Sequence, residues 1–380
     1  MRRHMKSISK TKQNTSKINQ KINSKNKNLD TTVFVGLSGG VDSSVSAYLL
    51  QEAGYNVVGA FIKIWQPEFA ETCTWKEDRR SAMRVAAHLN IPFVTIDLSD
   101  EYKHGVIDYM IREYAEGRTP NPDVMCNREI KFKAFLNKAI EMGADMIATG
   151  HYAQVNDDAE LLKAVDPAKE QSYFLWTLSK KELSKTLFPI GNIPKKEVRK
   201  IAEKAGLHTF EKKDSQGLCF IGKVDFKDFL KEFIPAKKGN VIDNVGKIIG
   251  YHDGAAFLTI GERHGFTITE KTTDDTPLYV IDKDIDKNTV TVAQKENKIF
   301  GNSLSNEFVI KDTNWISGIP EKNKKYDAQV RYHQDYQKCM IEVLNDTEAK
   351  IIFDNPQTGA KGQSVVVYDK NICLGGGIIK

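Results

Sequence analysis

Hydrophobic residues follow two different rhythms along this chain. Up to about position 150, short apolar runs alternate with stretches in which apolar residues recur every three to four positions, the patterns of buried strands and of amphipathic helices. The runs at 33–37, 56–65, 93–98 and 146–149 read as strands, and the periodic stretches at 42–50, 78–89, 101–115 and 130–142 read as helices. Strands alternating with helices predict a doubly wound parallel sheet, whose ligands sit beyond the carboxyl ends of the strands. The segment from Ser38 onward, the segment 63–65 and the pair Gly150-His151 all fall at such ends.

From about 223 the rhythm changes. VGKIIG, AAFLTIG, HGFTIT, LYVIDKD and NTVTVAQ, followed by 308–310, 327–332, 339–343, 351–353 and 364–368, are short runs punctuated by glycine and read as strands. The remainder is therefore expected to be all-β. The predicted organisation is a nucleotide-binding α/β domain at 30–222, a small central β-domain at 223–295 and a C-terminal β-barrel at 296–380. Residues 1–29 hold no aromatic side chain and too little apolar surface to offset the entropy of ordering, so they read as a disordered basic extension. Such an arm either adds weak attraction to phosphates, is dispensable, or is a cleaved transit peptide.

Composition refines this picture. At 380 residues the chain exceeds one ordinary core, and its 40% hydrophobic content suits folded domains. No apolar run approaches a membrane span and no secretory signal is evident, so a soluble, cytoplasmic protein is expected, with organelle targeting by residues 1–29 left open. The net charge of +5 misleads as an average: the arm carries nine basic residues and no acid, leaving 46 basic against 50 acidic residues elsewhere. Any nucleic-acid surface in the body must then be a local patch. The five cysteines, at 73, 126, 219, 339 and 373, form no CxxC pair and no secreted disulfide framework, which suits reactive thiols better than structural zinc.

Three segments carry candidate chemistry. In TTVFVGLSGGVDSSVSAYLL a strand runs into Gly39-Gly40 and out into a helix, so backbone N–H groups can turn inward beside the hydroxyls of Ser38, Ser43 and Ser44. That is a phosphate cradle, though neither a Walker loop nor a dinucleotide fingerprint. SGGVDS resembles the pyrophosphate loop of ATP-pyrophosphatases, which implies ATP split to AMP and pyrophosphate. In GRTPNPDVMCNREIKF, beginning at Gly117, Pro120 and Pro122 are expected to pin an exposed turn, with Asp123 and Cys126 on the helix that follows. A thiol at a helix start near Arg118, Arg128 and Lys131 is expected to ionise readily, and Asp123 suits a general base. In KDSQGLCFIG, Cys219 lies in a glycine-bracketed turn; a buried structural cysteine beside Phe220 is the competing reading.

Taken together, SGGVDSS, GRTPNPDVMCNREIKF, ATGHYA, DSQGLCFIG, LTIGERHG and CLGGGII resemble, in the same order, the tRNA-specific 2-thiouridylase family, over 31–379. The resemblance implies sulfur transfer to C2 of the wobble uridine of tRNA, with ATP and Mg2+ as cofactors and the lysine, glutamate and glutamine acceptors as substrates. It implies a persulfide donor, a cysteine desulfurase or a relay protein, as partner. Cys126 is then the nucleophile, Cys219 the persulfide carrier and Asp123 the base. Gly36, Leu37, Ser38, Gly39, Gly40, Val41, Asp42, Ser43 and Ser44, with Ile62 and Gly150, would hold ATP. Asn121, Pro122 and Asp123 would hold the target base, and His151, Lys169, Glu170, Gln171, Arg331, Tyr332 and Gln363 would contact tRNA. The chain departs from the family pattern in its 29-residue arm, at Gln216 where threonine is usual, and at Lys361 where proline is common. Two rival functions are an amide-forming ATP-pyrophosphatase, which leaves the cysteines unexplained, and a non-catalytic RNA-binding protein, which leaves the cradle idle.

Overall fold

The computed structural model describes residues 28–67, 75–214, 226–269, 276–294 and 304–380. Almost all of the expected basic arm, Cys73, the loop around Cys219 and the expected boundary at 295–296 lie outside the described residues. Five strands form one sheet in the order β3-β2-β1-β4-β7, where β1 is Thr32–Gly36, β2 Asn56–Lys63, β3 Phe93–Asp97, β4 Met146–Ala148 and β7 Thr186–Leu187. Every pair is parallel. The order reverses between β1 and β4, which opens a crevice beyond their carboxyl ends.

Two-residue alternation along β1 explains how the sheet is covered on both faces. Val33 and Val35 pack with Val45, Ala82 and Val85 on one side, while Phe34 packs with Met110, Phe132 and Phe135 on the other. The first side belongs to α1 (Val41–Glu52) and α2 (Trp75–His88). The second belongs to two longer helices, α3 over 99–115 and α4 over 122–141, each with an internal π-helical stretch, Lys103–Ile107 and Cys126–Ala134.

α4 starts at Pro122 rather than at 130. Proline at the first helical position removes an N–H that would lack an intrahelical partner, and Asn121 caps the end by accepting from Val124 N at 3.2 Å. Pro122 thus begins the helix expected to carry Asp123 and Cys126, and that helix is continuous with the stretch at 130–142. The turn is not the exposed one expected: Pro120 is buried, and Cys126 is only 1% exposed.

The second half departs from an all-β reading at its start, where α6 (Phe226–Lys231), the helix that follows α5 (Lys195–Lys204), packs Phe229 and Leu230 into the core of the α/β domain. The central domain is a sheet in the order β10-β9-β8-β12-β11, built from β8 (Gly239–Ile242), β9 (Ile248–His252), β10 (Phe266–Ile268), β11 (Leu278–Asp284) and β12 (Thr289–Gln294). AAFLTIG is not a strand; Ala255–Phe257 is a 3-10 turn that drops Phe257 into the α/β core.

The last domain is a closed barrel of β13 (Leu304–Trp315), β16 (Glu348–Thr358), β15 (Gln337–Asn345), β14 (Tyr326–Gln329), β17 (Ser364–Asp369) and β18 (Ile372–Ile379), with β18 pairing back onto β13. A hairpin from the α/β domain, β5 (Ala153–Val155) and β6 (Leu161–Lys163), adds to the beginning of β18 through Leu161 and Leu162 opposite Cys373 and Ile372. The barrel is also stapled to the α/β domain by buried hydrogen bonds: Trp176 Nε1 donates to Ser364 Oγ at 3.0 Å, and Asn314 Nδ2 donates to the Trp176 and Leu178 carbonyls at 2.7 and 2.9 Å. Among the described residues, no helix is long and apolar enough to cross a membrane.

The glycines of CLGGGII have a packing role. β18 pairs with β17 along its length, with β6 at its beginning and with β13 toward its end, and a Cβ at Gly375 or Gly376 would lie 1.8 Å from Asn314 O or 2.2 Å from Val365 O. Gly376→Ala should therefore destabilise the chain by about 1–3 kcal/mol, the usual cost of overpacking. Urea denaturation measures this, and an unchanged midpoint would show that β18 does not need that close approach.

Candidate active site

The cradle forms where β1 ends. Gly39 takes a left-handed φ of +74°, and a Cβ there would meet Asp78 O at 2.5 Å, so the turn requires glycine. Gly40 precedes α1 without a side-chain cap, which leaves the first turn of N–H groups to meet an anion. Gly150, at the end of β4, presses on that turn: its Cβ would lie 2.7 Å from Ser43 N and 2.9 Å from the Asp42 carbonyl carbon. Gly36 lies beside Ile62, whose Cδ1 would be 4.0 Å from an added Cβ, so Ile62 flanks the crevice from β2. Leu37 and Val41 are buried and anchor the loop. Ser38 is exposed, and its Oγ lies 3.2 Å from Ser43 Oγ. Ser44 does not contribute the outward hydroxyl expected of it; it is fully buried and donates to Gly40 O at 2.7 Å.

Several charged residues around the cradle, Lys195, Arg199, Lys212, Asp78 and Asp214, carry no motif in the sequence. α5 (Lys195–Lys204) brings in Lys195, which is 9% exposed. Its Nζ donates to Asp42 Oδ1 and Oδ2 at 2.8 and 2.7 Å and pairs with Asp214 Oδ1 at 2.8 Å. Tyr152 OH also donates to Asp42 Oδ1 at 2.8 Å, and burial together with that carboxylate keeps the phenol protonated by raising its pKa. Lys169 and Arg199 complete the shell of Asp214, each at 2.7 Å. Burial pushes the Asp214 carboxyl up, but the hydrogen bonds and charges of Lys169 and Lys195 outweigh it and hold it at about 2. Lys212 donates to Gly39 O at 3.0 Å and pairs with Asp78 at 2.8 Å. Four cations thus ring the anion site, each held by a carboxylate or carbonyl. For Lys195, Arg199 and Lys212 the one available signal was the density of basic residues in 195–214, which lacks a motif.

These ion pairs bear on magnesium. Among the described residues no group of three or more His, Cys, Asp or Glu side chains is arranged to hold a metal. The carboxylates nearest the cradle, Asp42, Asp78 and Asp214, are already paired with lysines. The donors present do not make a protein cage for a divalent ion.

α4 connects the second predicted site to the first. Lys131 Nζ lies 3.4 Å from His151 Nε2, and the Phe132 ring is 5.6 Å from the His151 ring. Burial, then the Lys131 charge, holds His151 well below its ordinary pKa, so the ring is neutral. Since an ammonium only donates, Nε2 accepts and Nδ1–H donates to Thr149 Oγ1 at 2.8 Å. His151 is 8% exposed and orients α4 against the end of β4. Asn121, Pro122 and Asp123 are half-buried at the start of α4, with Cys126 one turn below them. Of the three cations expected near the thiol, Arg118 is committed to Glu113 and Glu116, and Arg128 pairs with Glu129.

The residues expected to meet tRNA divide into two groups. Glu170 is buried and accepts from Ser172 N at 2.6 Å, while Gln171 Oε1 accepts from Tyr152 N at 2.9 Å, so both side chains brace the interior. Tyr332 lies with its ring 4.4 Å from Phe174, whose carbonyl accepts from Asn127 Nδ2 at 3.1 Å. This contact links the barrel to the residue next to Cys126. Arg331 is half-buried and donates to Ile260 O of the central domain at 3.3 Å, so it sits in a domain junction. Gln363 is half-buried, and its Oε1 finds no partner within the described residues. Cys219 lies outside the described residues, so its distance from Cys126 is not part of this geometry.

A parallel sheet with a glycine–serine anion cradle at its switch point, followed by two β-domains, defines a nucleotide-binding domain of the HUP class with appended barrels. The family described as tRNA methyl transferase HUP domain matches 31–223, the tRNA methyl transferase PRC-barrel domain matches 227–294, and the aminomethyltransferase beta-barrel domain matches 305–379. A protein of Pseudomonas putida (strain GB-1) named tRNA-specific 2-thiouridylase MnmA is 46% identical over 92% of this chain and 95% of its own. The proteins of that name from Francisella philomiragia and Alkaliphilus oremlandii are 45% and 46% identical, over 91% and 92% of this chain and 98% and 97% of theirs. The chain belongs to the tRNA-specific 2-thiouridylase family. The word methyl transferase in the domain descriptions differs from that name, and near-complete coverage at this identity decides for the latter. Among solved structures, the U34-tRNA thiolase NcsA from Methanococcus maripaludis with its [4Fe-4S] cluster aligns with a TM-score of 0.37 at 23% identity, over 58% of this chain and 73% of that one.

The depressed Asp214 carboxyl gives a pH signature. A carboxyl whose folded pKa lies below its unfolded value, about 3.9, contributes stability that is complete above that value and is lost as pH falls toward the folded one. Wild-type protein should therefore lose this stability as pH falls from about 4 to about 2, and Asp214→Asn should lose less over the same interval. Denaturation midpoints across that range test this; equal losses would place the acid-sensitive group elsewhere.

Proposed function

We propose that this chain makes 2-thiouridine at the wobble position of tRNA in the cytoplasm, by adenylating C2 and then transferring persulfide sulfur. The observation that carries this reading is a phosphate cradle and the Asp123–Cys126 helix joined through His151, in a chain 45–46% identical to 2-thiouridylases. The cradle N–H groups, with Ser38 and Ser43, hold the triphosphate of ATP, and Lys195, Lys212 and Lys169 offset its charge. Any magnesium arrives with the nucleotide, since the carboxylates here are paired with lysines.

A uridine carbonyl oxygen is a poor leaving group, and adenylation converts it into a good one. The C2 oxygen forms a bond to the α-phosphorus, pyrophosphate leaves, and Asp123 accepts the substrate proton. The flipped base lies between Asn121, Pro122 and Asp123, since chemistry at C2 requires it out of its stack. Terminal sulfur from a Cys219 persulfide then bonds to C2 and AMP leaves. The Cys126 thiolate attacks the remaining Cys219 sulfur, breaking the persulfide S–S bond and leaving a protein disulfide that an external thiol reduces. The persulfide originates in a cysteine desulfurase or a relay protein. Cys126 is 1% exposed, so its attack needs a shift at the start of α4, and π-helical segments such as the one it opens accompany such sites.

Arg331, Tyr332, Gln363, Lys169 and His151 belong to this reading as the tRNA side of the pocket, with Glu170 and Gln171 supporting it from behind. A patch contributed by several elements suits a body that is net acidic.

One turnover without reductant should leave a disulfide between Cys126 and Cys219, found by peptide mapping. Cys126→Ser should still release pyrophosphate but make no 2-thiouridine, while Cys219→Ser should retain tRNA-dependent adenylation and fail to accept sulfur. Multiple-turnover thiolation by either variant would reject the two-cysteine route. Pyrophosphate release that does not depend on tRNA would favour the amide-forming alternative.

A further inference from the structure

We propose that the two β-domains hold the base-binding loop from opposite sides, with Ile285 and Gly362 as positioning residues for Asn121, Asp123 and Cys126. On the central-domain side, Gly117 takes φ +75° and lies against Ile285, in the turn between β11 and β12: a Cβ at Gly117 would be 2.3 Å from Ile285 Cγ1 and 2.8 Å from Cδ1. On the barrel side, Thr119 N donates to Lys361 O at 2.7 Å. Gly362, at φ +91°, fits flat on Thr119, where a Cβ would be 3.0 Å from the backbone N, C and O alike.

Between the two contacts, Arg118 fixes the loop to α3. Its Nη2 donates to Glu113 Oε1 at 2.8 Å, and the Arg118 hydrogen bond holds the buried Glu113 carboxyl below its usual range. The central domain grips the same end of α3 a second time, where Tyr114 meets Phe226 with ring centres 5.3 Å apart.

The loop 117–121 has no regular secondary structure of its own. Its position is therefore set by what presses on it, and three contacts within three consecutive residues, one from each domain, set it. Asn121 caps α4 directly after this clamp, so a displacement at Gly117 or Thr119 passes to Asp123 and Cys126 through the helix start. A displacement of about 1 Å can cost a reaction about a hundredfold. The two β-domains thereby do more than offer surface to RNA: their docking determines whether the base pocket is assembled.

This inference rests on the proposed function for its kinetic readout only. The test compares wild type, Gly117→Ala, Ile285→Ala and the double variant by tRNA-dependent pyrophosphate release, ATP affinity and amide hydrogen exchange over 117–126. Gly117→Ala should slow release about tenfold or more while ATP affinity stays within about twofold, because the cradle is built from other elements. Adding Ile285→Ala removes the two atoms that clash and should restore most of the rate, although the left-handed backbone remains strained. A double variant no faster than Gly117→Ala, or a Gly117→Ala enzyme as fast as wild type, would overturn the clamp. Should Gly117→Ala fail to fold, Ile285→Ala alone decides: it should slow release and quicken exchange over 117–126 with ATP affinity kept, and wild-type rate and exchange would reject the proposal. Faster exchange in Ile285→Ala, in a chain whose wild type releases no pyrophosphate with tRNA, would retain the clamp and refute the function.

Discussion

The site depends on how closely two stretches of backbone approach at the reversal of strand order. The end of β4 touches the first turn of α1 so tightly that a methyl group at Gly150 would overlap Ser43 N. That approach places His151 next to the anion site, and His151 in turn orients α4 through Lys131 and Phe132. A larger residue at Gly150 would separate the sites proposed for nucleotide and base before any catalytic side chain was altered. In the proposed reading backbone N–H groups bind the anion, so the geometry of the approach matters more than side-chain identity.

Electrostatics around this point are arranged in advance. An isolated buried ammonium is costly, so Lys195 is matched by Asp42 and Asp214, and Tyr152 adds a donor to Asp42. This gives Asp42 a structural duty in addition to any catalytic one; its removal would leave Lys195 under-compensated. In the proposed reaction the triphosphate of ATP would compete for the same lysines. The network also joins the cradle to 212–214, the described residues that lead toward Cys219, through Lys212 on Gly39 O and Lys195 on Asp214.

The thiol at 126, the nucleophile of the proposed reaction, is covered in the structure. It opens a π-helical stretch, below a capped proline turn, with Arg118 and Arg128 spent on glutamates. Gly105, in the π-helical stretch of α3, lies against the start of the Glu129 side chain, where an added Cβ would be 3.1 Å away. The two irregular helical segments therefore meet each other, at the level where the proposed reaction requires movement.

The sequence by itself determined what local chemistry determines. Alternating apolar runs and periodic stretches fixed the parallel sheet, because strand and helix periods differ and each buries its own face. Gly39 and Gly40 after a strand marked the cradle, because few other residues take those torsions, and six ordered motifs marked the family. Tertiary structure alone decided the rest. Tyr152 and Lys195 meet Asp42 from 110 and 153 residues away, and Asp214 joins them through Lys195; no local pattern encodes such a meeting. The helix carrying Asp123 and Cys126 was legible after Pro122, but that it runs on into the stretch at 130–142 as one helix, and that its first turn is covered, were not, because both follow from packing. The hairpin β5–β6 joined the barrel because β18 leaves one neighbouring edge open to it. Ile285 and Gly362 gained their place at Gly117 and Thr119 only when three domains packed together, since a contact between distant segments follows from the shape of the whole and not from the residues on either side of it.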